Sequence, residues 1–195
     1  LQKAINNNQD NVKELSASVA NTLVEQIDHL AKIAADFSQF ANIGNTHIEV
    51  FDLHEVMGSL RDLYQADPKV NMVWYPINDR VMLRADKTQM NRLFTNLLTN
   101  AVQACSDSGA CRILIDEKRA AQKFLVSIQD NGEGIPAEMQ DKIFVPNFTT
   151  KSSGTGLGLA MCKGIVEQAQ GRIWFETRMG EGTTFFVELP LYEGE

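Results

Sequence analysis

Asn96 and Asn100 stand four apart in Asn96-Leu97-Leu98-Thr99-Asn100, which puts both amides on one face of a helix with Arg92 a further turn back. Neutral amide oxygens suit a hard cation that also takes phosphate oxygens and water, the habit of magnesium. Two asparagines at this spacing equally describe a solvated polar face. Asp130 closes the apolar run of residues 124–129, where a carboxylate at a pocket floor can accept from an exocyclic amine such as that of adenine. Gly132 and Gly134 follow it and let the backbone turn and approach a flat base, although Asp-x-Gly-x-Gly is also an ordinary turn signal. Gly154, Gly156 and Gly158 precede a helix start, where backbone amides and the helix dipole favour phosphate. That run follows a long loop and no βαβ unit surrounds it, which argues against a dinucleotide fingerprint. Taken in order, the three groups describe a nucleotide pocket.

The elements that must position these residues follow from periodicity. Asp86 starts a helix reaching Cys105, with Met90, Leu93, Leu97, Leu98 and Ala101 on its buried side. Before it, residues 46–53 alternate like an edge strand, Asp52 caps a helix running to about Gln65, and residues 70–77 and 80–85 read as two short strands. Residues 112–117 and 123–129 predict a hairpin. Residues 131–155, rich in glycine, proline and threonine, predict a functional loop carrying at most a short helix. Residues 157–169 are helical, and 172–177 with 183–189 form a last hairpin around Met179-Gly180-Glu181-Gly182. The expected fold is α+β: an α/β sandwich whose mixed, largely antiparallel sheet is covered by helices on one face.

Ahead of this lies a different pattern. Val12, Leu15, Val19, Leu23, Ile27, Leu30, Ala34, Phe37 and Ala41 recur every three or four residues, a long amphipathic helix with one buried stripe. Asn6-Asn7-Asn8-Gln9-Asp10 interrupts the pattern, so residues 1–5 read as the end of an earlier helix and the chain as opening inside a helical hairpin. The expected division is 1–44 for this partial hairpin and 45–195 for the pocket-bearing domain.

Composition excludes several classes. The 195 residues are 44% hydrophobic, enough to bury a core, so disorder is not expected as the main state. No run of about 18 apolar residues and no signal-peptide pattern appears, so no membrane contact and a cytoplasmic setting are expected of this portion, whether or not its parent carries an anchor. A net charge of -7 offers no electrostatic footprint for nucleic acid. Cys105, Cys111 and Cys162 fit no C-x-x-C spacing and are expected to be reduced thiols.

The motifs together resemble the ATP-binding domain of bacterial sensor histidine kinases, within the superfamily that includes gyrase B subunits, mismatch-repair MutL and a major heat-shock chaperone. Asn-Leu-Leu-Thr-Asn-Ala at 96–101 resembles the N box, and 130–134 the first glycine box. Phe144-Val145-Pro146-Asn147-Phe148-Thr149-Thr150-Lys151 is similar to the F box of the ATP lid, 154–159 to the second glycine box, and 180–185 to the last. The resemblance implies Asn100 as magnesium ligand with Asn96 in support, Asp130 on the adenine amine and Thr183 beside the base. It implies that Lys151 and the amides of Gly156, Leu157, Gly158 and Leu159 meet the phosphates, that Gly154 and Thr155 of the same glycine box also line the nucleotide, and that Phe144 and Phe148 pack a lid that orders on ATP. Gln103 departs from the pattern, since many relatives place a phosphate-reaching lysine there; phosphate grip is then left to Lys151, with Arg92 either a second contact or a solvated side chain.

Hydrolases of the superfamily resemble one another in a glutamate one turn before the magnesium asparagine. Here that place is Asn96, and an amide is no general base at neutral pH, which favours delivery of the γ-phosphate to an external nucleophile. Asn96 and Lys151 are therefore the catalytic candidates, with ATP and Mg2+ as the implied ligands. By resemblance the nucleophile is a histidine on a dimeric hairpin, phosphate passes to the receiver domain of a response regulator, and residues 27–37 resemble the second hairpin helix of nitrogen-regulation sensor kinases. Of His29, His47 and His54, the last opens His54-Glu55-Val56, superficially like a phosphoacceptor signature, but it follows the second hairpin helix and a capping aspartate. The acceptor is expected upstream of Leu1. A standalone ATPase or serine kinase of the superfamily and a nucleotide-binding pseudokinase scaffold are the alternatives.

Overall fold

A computed structural model describes residues 2–42, 44, 46–105, 110–149 and 154–194. Helix α1 (Gln2–Ala41) runs without interruption. The expected break at Asn6–Asp10 is thus corrected. Asparagine costs a helix only a few tenths of a kcal/mol relative to its neighbours, and neither Gly nor Pro stands there to stop propagation. The apolar stripe is present as expected, but Val12, Leu15, Val19, Leu23, Ile27, Leu30 and Phe37 are exposed.

Strand β1 (Glu49–Asp52) leads into α2 (Leu53–Gln65), β2 (Val70–Tyr75), β3 (Met82–Ala85) and α3 (Lys87–Ala104). Both helix starts are fixed by the aspartates expected to cap them. Asp52 Oδ1 accepts from His54 N at 3.1 Å, and Asp86 Oδ1 from Gln89 N at 3.0 Å, each satisfying an orphan N–H of a first turn. Strands β4 (Cys111–Ala120) and β5 (Lys123–Asp130) form the expected hairpin, and α4 (Ala137–Gln140) is the short helix within the long loop. Helix α5 (Gly158–Gln168) precedes the last hairpin, β6 (Arg172–Arg178) and β7 (Gly182–Pro190).

β1 and β3 pair antiparallel as a small separate sheet, while the main sheet has the order β2-β4-β5-β7-β6. Only β2 and β4 are parallel within it; the connection between them passes through β3 and α3, long enough to return the chain to the same end of the sheet. Alternation sends Ile113 and Ile115 of β4, Phe124, Val126 and Ile128 of β5, and Phe185, Val187 and Leu189 of β7 to one buried face. There they meet Leu53, Val56, Met57 and Leu60 of α2, Leu93, Phe94, Leu97 and Leu98 of α3, and Met161, Ile165 and Val166 of α5. Each such side chain, fully removed from water, contributes about 1.5–3 kcal/mol. The three cysteines are buried and form no disulfide among the described residues.

Candidate functional site

The floor of the site is made where two strands end together. Asp130, the last residue of β5 and 3% exposed, accepts at Oδ1 from Gly132 N at 2.9 Å and from Thr183 N at 3.1 Å. One carboxylate oxygen therefore ties the first glycine segment to the start of β7. Gly182 is what allows the approach: its φ is +107°, and a Cβ there would collide with the Asp130 carbonyl oxygen. Thr183 is buried, and its hydroxyl lies 3.0 Å from Thr177 Oγ1, which also accepts from Ile135 N at 2.9 Å. Gly132 backs onto Ala104 at the end of α3 and Gly134 onto Arg178 at the β6 end. Sequence reasoning placed Gly182 in the last glycine box without giving it a role of its own, and missed Thr177. Gly182 was legible as the last glycine before the strand; a threonine in an alternating strand carries no comparable signal.

Behind this floor, Asn131 Oδ1 accepts from Arg112 N at 2.7 Å and Cys105 Sγ at 3.3 Å, and its Nδ2 donates to Ala110 O at 3.1 Å. Burial, followed by the hydrogen bond with Cys105 and the nearby Asp130 and Asp67 charges, pushes the Cys111 thiol up to about 12. These thiols are packing groups. Burial raises Cys162 as well.

The opposite wall joins α3 to α5. Asn96 Nδ2 donates to Met161 Sδ at 3.9 Å, and a Cβ at Gly158 would lie 3.2 Å from Asn96 Oδ1, so the amide is set against the first turn of α5. Arg92, Asn96 and Asn100 are all half-buried on the face that the four-residue spacing defines, whereas Gln103 is exposed. Leu157 is the N-cap of α5 and, having no polar side-chain atom, makes no capping hydrogen bond. Gly156 has φ +69° and packs on the backbone of Asn147 and Phe148, 2.6 Å from a would-be Cβ, so the second glycine segment is clasped to the loop that carries the two phenylalanines. Phe144 and Phe148 pack partly buried against the core, Phe144 6.1 Å from Phe175. Gly154 is half-buried, Leu157 buried and Leu159 packed on the core. Thr155 donates its hydroxyl to Asp36 of α1. Lys151, expected at the phosphates, lies outside the described residues.

His54 has a different role from the one its signature suggests. Its Nε2 lies 2.8 Å from Glu117 Oε2, and that fully buried carboxylate also accepts from Trp74 Nε1 at 2.8 Å and Ile77 N at 3.0 Å. The ring packs edge-on to Trp74 at 5.6 Å. This is a satisfied polar knot joining α2 to the sheet.

Residues 85–193, more than half of the chain and spanning every wall just described, match the family described as Histidine kinase-, DNA gyrase B-, and HSP90-like ATPase. The chain belongs to this ATPase family. Among curated proteins, this ATPase chain is 31% identical over 176 residues to sensor histidine kinase ZraS of Escherichia coli (strain K12), covering 89% of the chain and 37% of ZraS. It is 33% identical over 174 residues to the signal transduction histidine-protein kinase AtoS of the same organism, covering 88% and 28%. The chain thus spans only 28–37% of these relatives' length. Among solved structures, the nucleotide-free catalytic domain of histidine kinase ThkA superposes with a TM-score of 0.66 at 32% identity, over 75% of this chain and 97% of that one. A structure of ThkA in complex with response regulator protein TrrA gives 0.70 at 26% identity, over 88% and 50%. Fold and family are those of a histidine kinase ATPase domain.

Proposed function

We propose that this domain binds Mg-ATP and presents its γ-phosphate to a histidine on a dimeric helical hairpin, for relay to an aspartate of a response-regulator receiver domain. The division 1–44 and 45–195 is retained, with α1 as the second helix of that hairpin; its exposed apolar stripe suits burial against the hairpin and a second copy. The setting is cytoplasmic; no described helix is long and apolar enough to cross a membrane.

The observation that carries this reading is the position of Asn96, one turn before Asn100 and against the first turn of α5. A superfamily hydrolase resembles the others in having a glutamate there to activate water; an amide in that place leaves water unactivated and favours transfer to an external nucleophile. Asp130 holds the adenine amine, with Thr183 beside the base and Gly132 and Gly134 giving it room. Gly154 to Leu159 and Lys151 hold the phosphates, and Phe144 and Phe148 seat the lid. Asn100, with Asn96 in support, is the oxygen-donor set for magnesium, and neutral amides fit an ion shared with phosphate oxygens. When bound, magnesium neutralises charge on the phosphates. The chain's own groups orient the γ-phosphate and keep water from it. His54 is committed to Glu117, which supports placing the acceptor outside residues 1–195.

The test is incubation with γ-labelled ATP and magnesium of a dimer carrying the complete hairpin, beside residues 1–195 alone. The dimer is expected to gain an acid-labile, alkali-stable phosphoryl group on a hairpin histidine, lost in Asn100→Ala, while residues 1–195 stay unlabelled because no nucleophile is held in line. Labelling of His54 in residues 1–195 at the dimer's rate would overturn the assignment.

A further inference from the structure

Helix α1 is joined to the ATPase domain by a hydrogen bond that the nucleotide reading does not use. Thr155 Oγ1 donates to Asp36 Oδ2 at 2.8 Å, across 119 residues of sequence. Asp36 is half-buried, whereas the other described side chains of α1 are exposed, so this aspartate marks where the helix meets the domain. The place it meets is the second glycine segment, two residues before the uncapped start of α5.

A carboxylate seated there has the chemistry of a phosphate oxygen: it is anionic, it accepts from the same hydroxyl, and it lies near a helix N-terminus that favours negative charge. A triphosphate arriving at the segment meets both a competitor for Thr155 and a fixed like charge. We propose that Asp36 is an internal anion that stands in for nucleotide phosphate at the second glycine segment, so that α1 and ATP compete for Thr155. The proposal rests on the nucleotide reading above and adds a coupling to it. Bound ATP releases the segment from α1, and by linkage any movement of the hairpin that withdraws Asp36 raises the affinity for ATP by the same factor. Because the competition is with phosphate, it spares a ligand that has none.

The experiment is calorimetry of Mg-ATP and of adenosine against the wild-type chain, Asp36→Asn and Asp28→Asn. Asp36→Asn keeps an acceptor for Thr155 and removes only the charge, and Asp28→Asn makes the same charge change on an exposed part of α1. The expected result is Mg-ATP affinity raised about three- to tenfold in Asp36→Asn alone, with adenosine binding unchanged, as for removal of one partly screened like charge. A wild type that binds Mg-ATP together with an Asp36→Asn that binds it no tighter overturns the proposal and leaves the nucleotide reading standing. If neither binds, both fall.

Discussion

Helices α1 and α3 carry the same sequence signal and meet opposite fates. Both repeat apolar residues every three or four positions, yet Leu93, Leu97 and Leu98 of α3 are 0% exposed while Leu15, Leu23 and Leu30 of α1 are 66%, 57% and 64% exposed. The difference lies in what stands opposite. The α3 stripe faces Phe124, Val126 and Ile128 of the sheet and Met161 and Ile165 of α5, all within the same chain. No described residue of this chain covers the α1 stripe. Periodicity therefore reports that a helix has an apolar face, and leaves open whether anything in the same chain covers that face.

Paired substitutions sharpen this contrast. Leu97→Ala is expected to destabilise the ATPase domain by about 2–5 kcal/mol, since it removes buried methyl groups and leaves a cavity between α3 and the sheet. Leu23→Ala in the isolated chain is expected to change stability by less than about 0.5 kcal/mol. Urea unfolding of both variants checks the pair; equal losses would mean that the stripe on α1 is already covered.

A smaller gap separates two glutamates. Removing the buried carboxylate with Glu117→Ala orphans Trp74 Nε1 and the Ile77 amide and is expected to cost about 2–3 kcal/mol. Exposed Glu25→Ala on α1 is expected to lie within about 0.5 kcal/mol of wild type. The same unfolding assay reads both, and a Glu117→Ala loss no larger than that of Glu25→Ala would remove the polar knot from the account.

Thiol chemistry extends the comparison without perturbing the fold. With its thiol pushed up to about 12, native Cys111 at pH 8 is expected to present roughly one thiolate in ten thousand, against about a quarter for an ordinary exposed thiol. Iodoacetamide followed by mass spectrometry should label Leu23→Cys promptly and Cys111 only in denaturant. Prompt native labelling of Cys111 would show that the region behind Asn131 opens.

Much of the ATPase domain was legible because its signals are local. Asp52 and Asp86 cap the helices they precede, glycines stand where the backbone of another segment comes close, and Asn96 and Asn100 share a face through their spacing. What was not legible depends on long-range pairing. Glu117 looks like one polar residue in the run Asp116-Glu117-Lys118, yet it shares the inward parity of Ile113 and Ile115, and only the fold brings Trp74 and His54 to it. The partnership of Asp36 with Thr155 spans 119 residues and has no periodic trace. The start of α1 was misread for the opposite reason: five polar residues at 6–10 weaken an apolar stripe without weakening the helix itself.

The most direct measurement of the central claim is calorimetry of Mg-ATP against wild type and Asp130→Asn, with GTP as competitor. Asp130 Oδ1 accepts from the first glycine segment and from Thr183 N, so the carboxylate proposed to take the adenine amine is held in one place. The expected result is micromolar to millimolar binding of Mg-ATP, a loss of about ten- to a hundredfold in Asp130→Asn for one charged hydrogen bond, and poor competition by GTP. Equal affinity for GTP, or an Asp130→Asn variant that binds Mg-ATP as tightly as wild type, would contradict it.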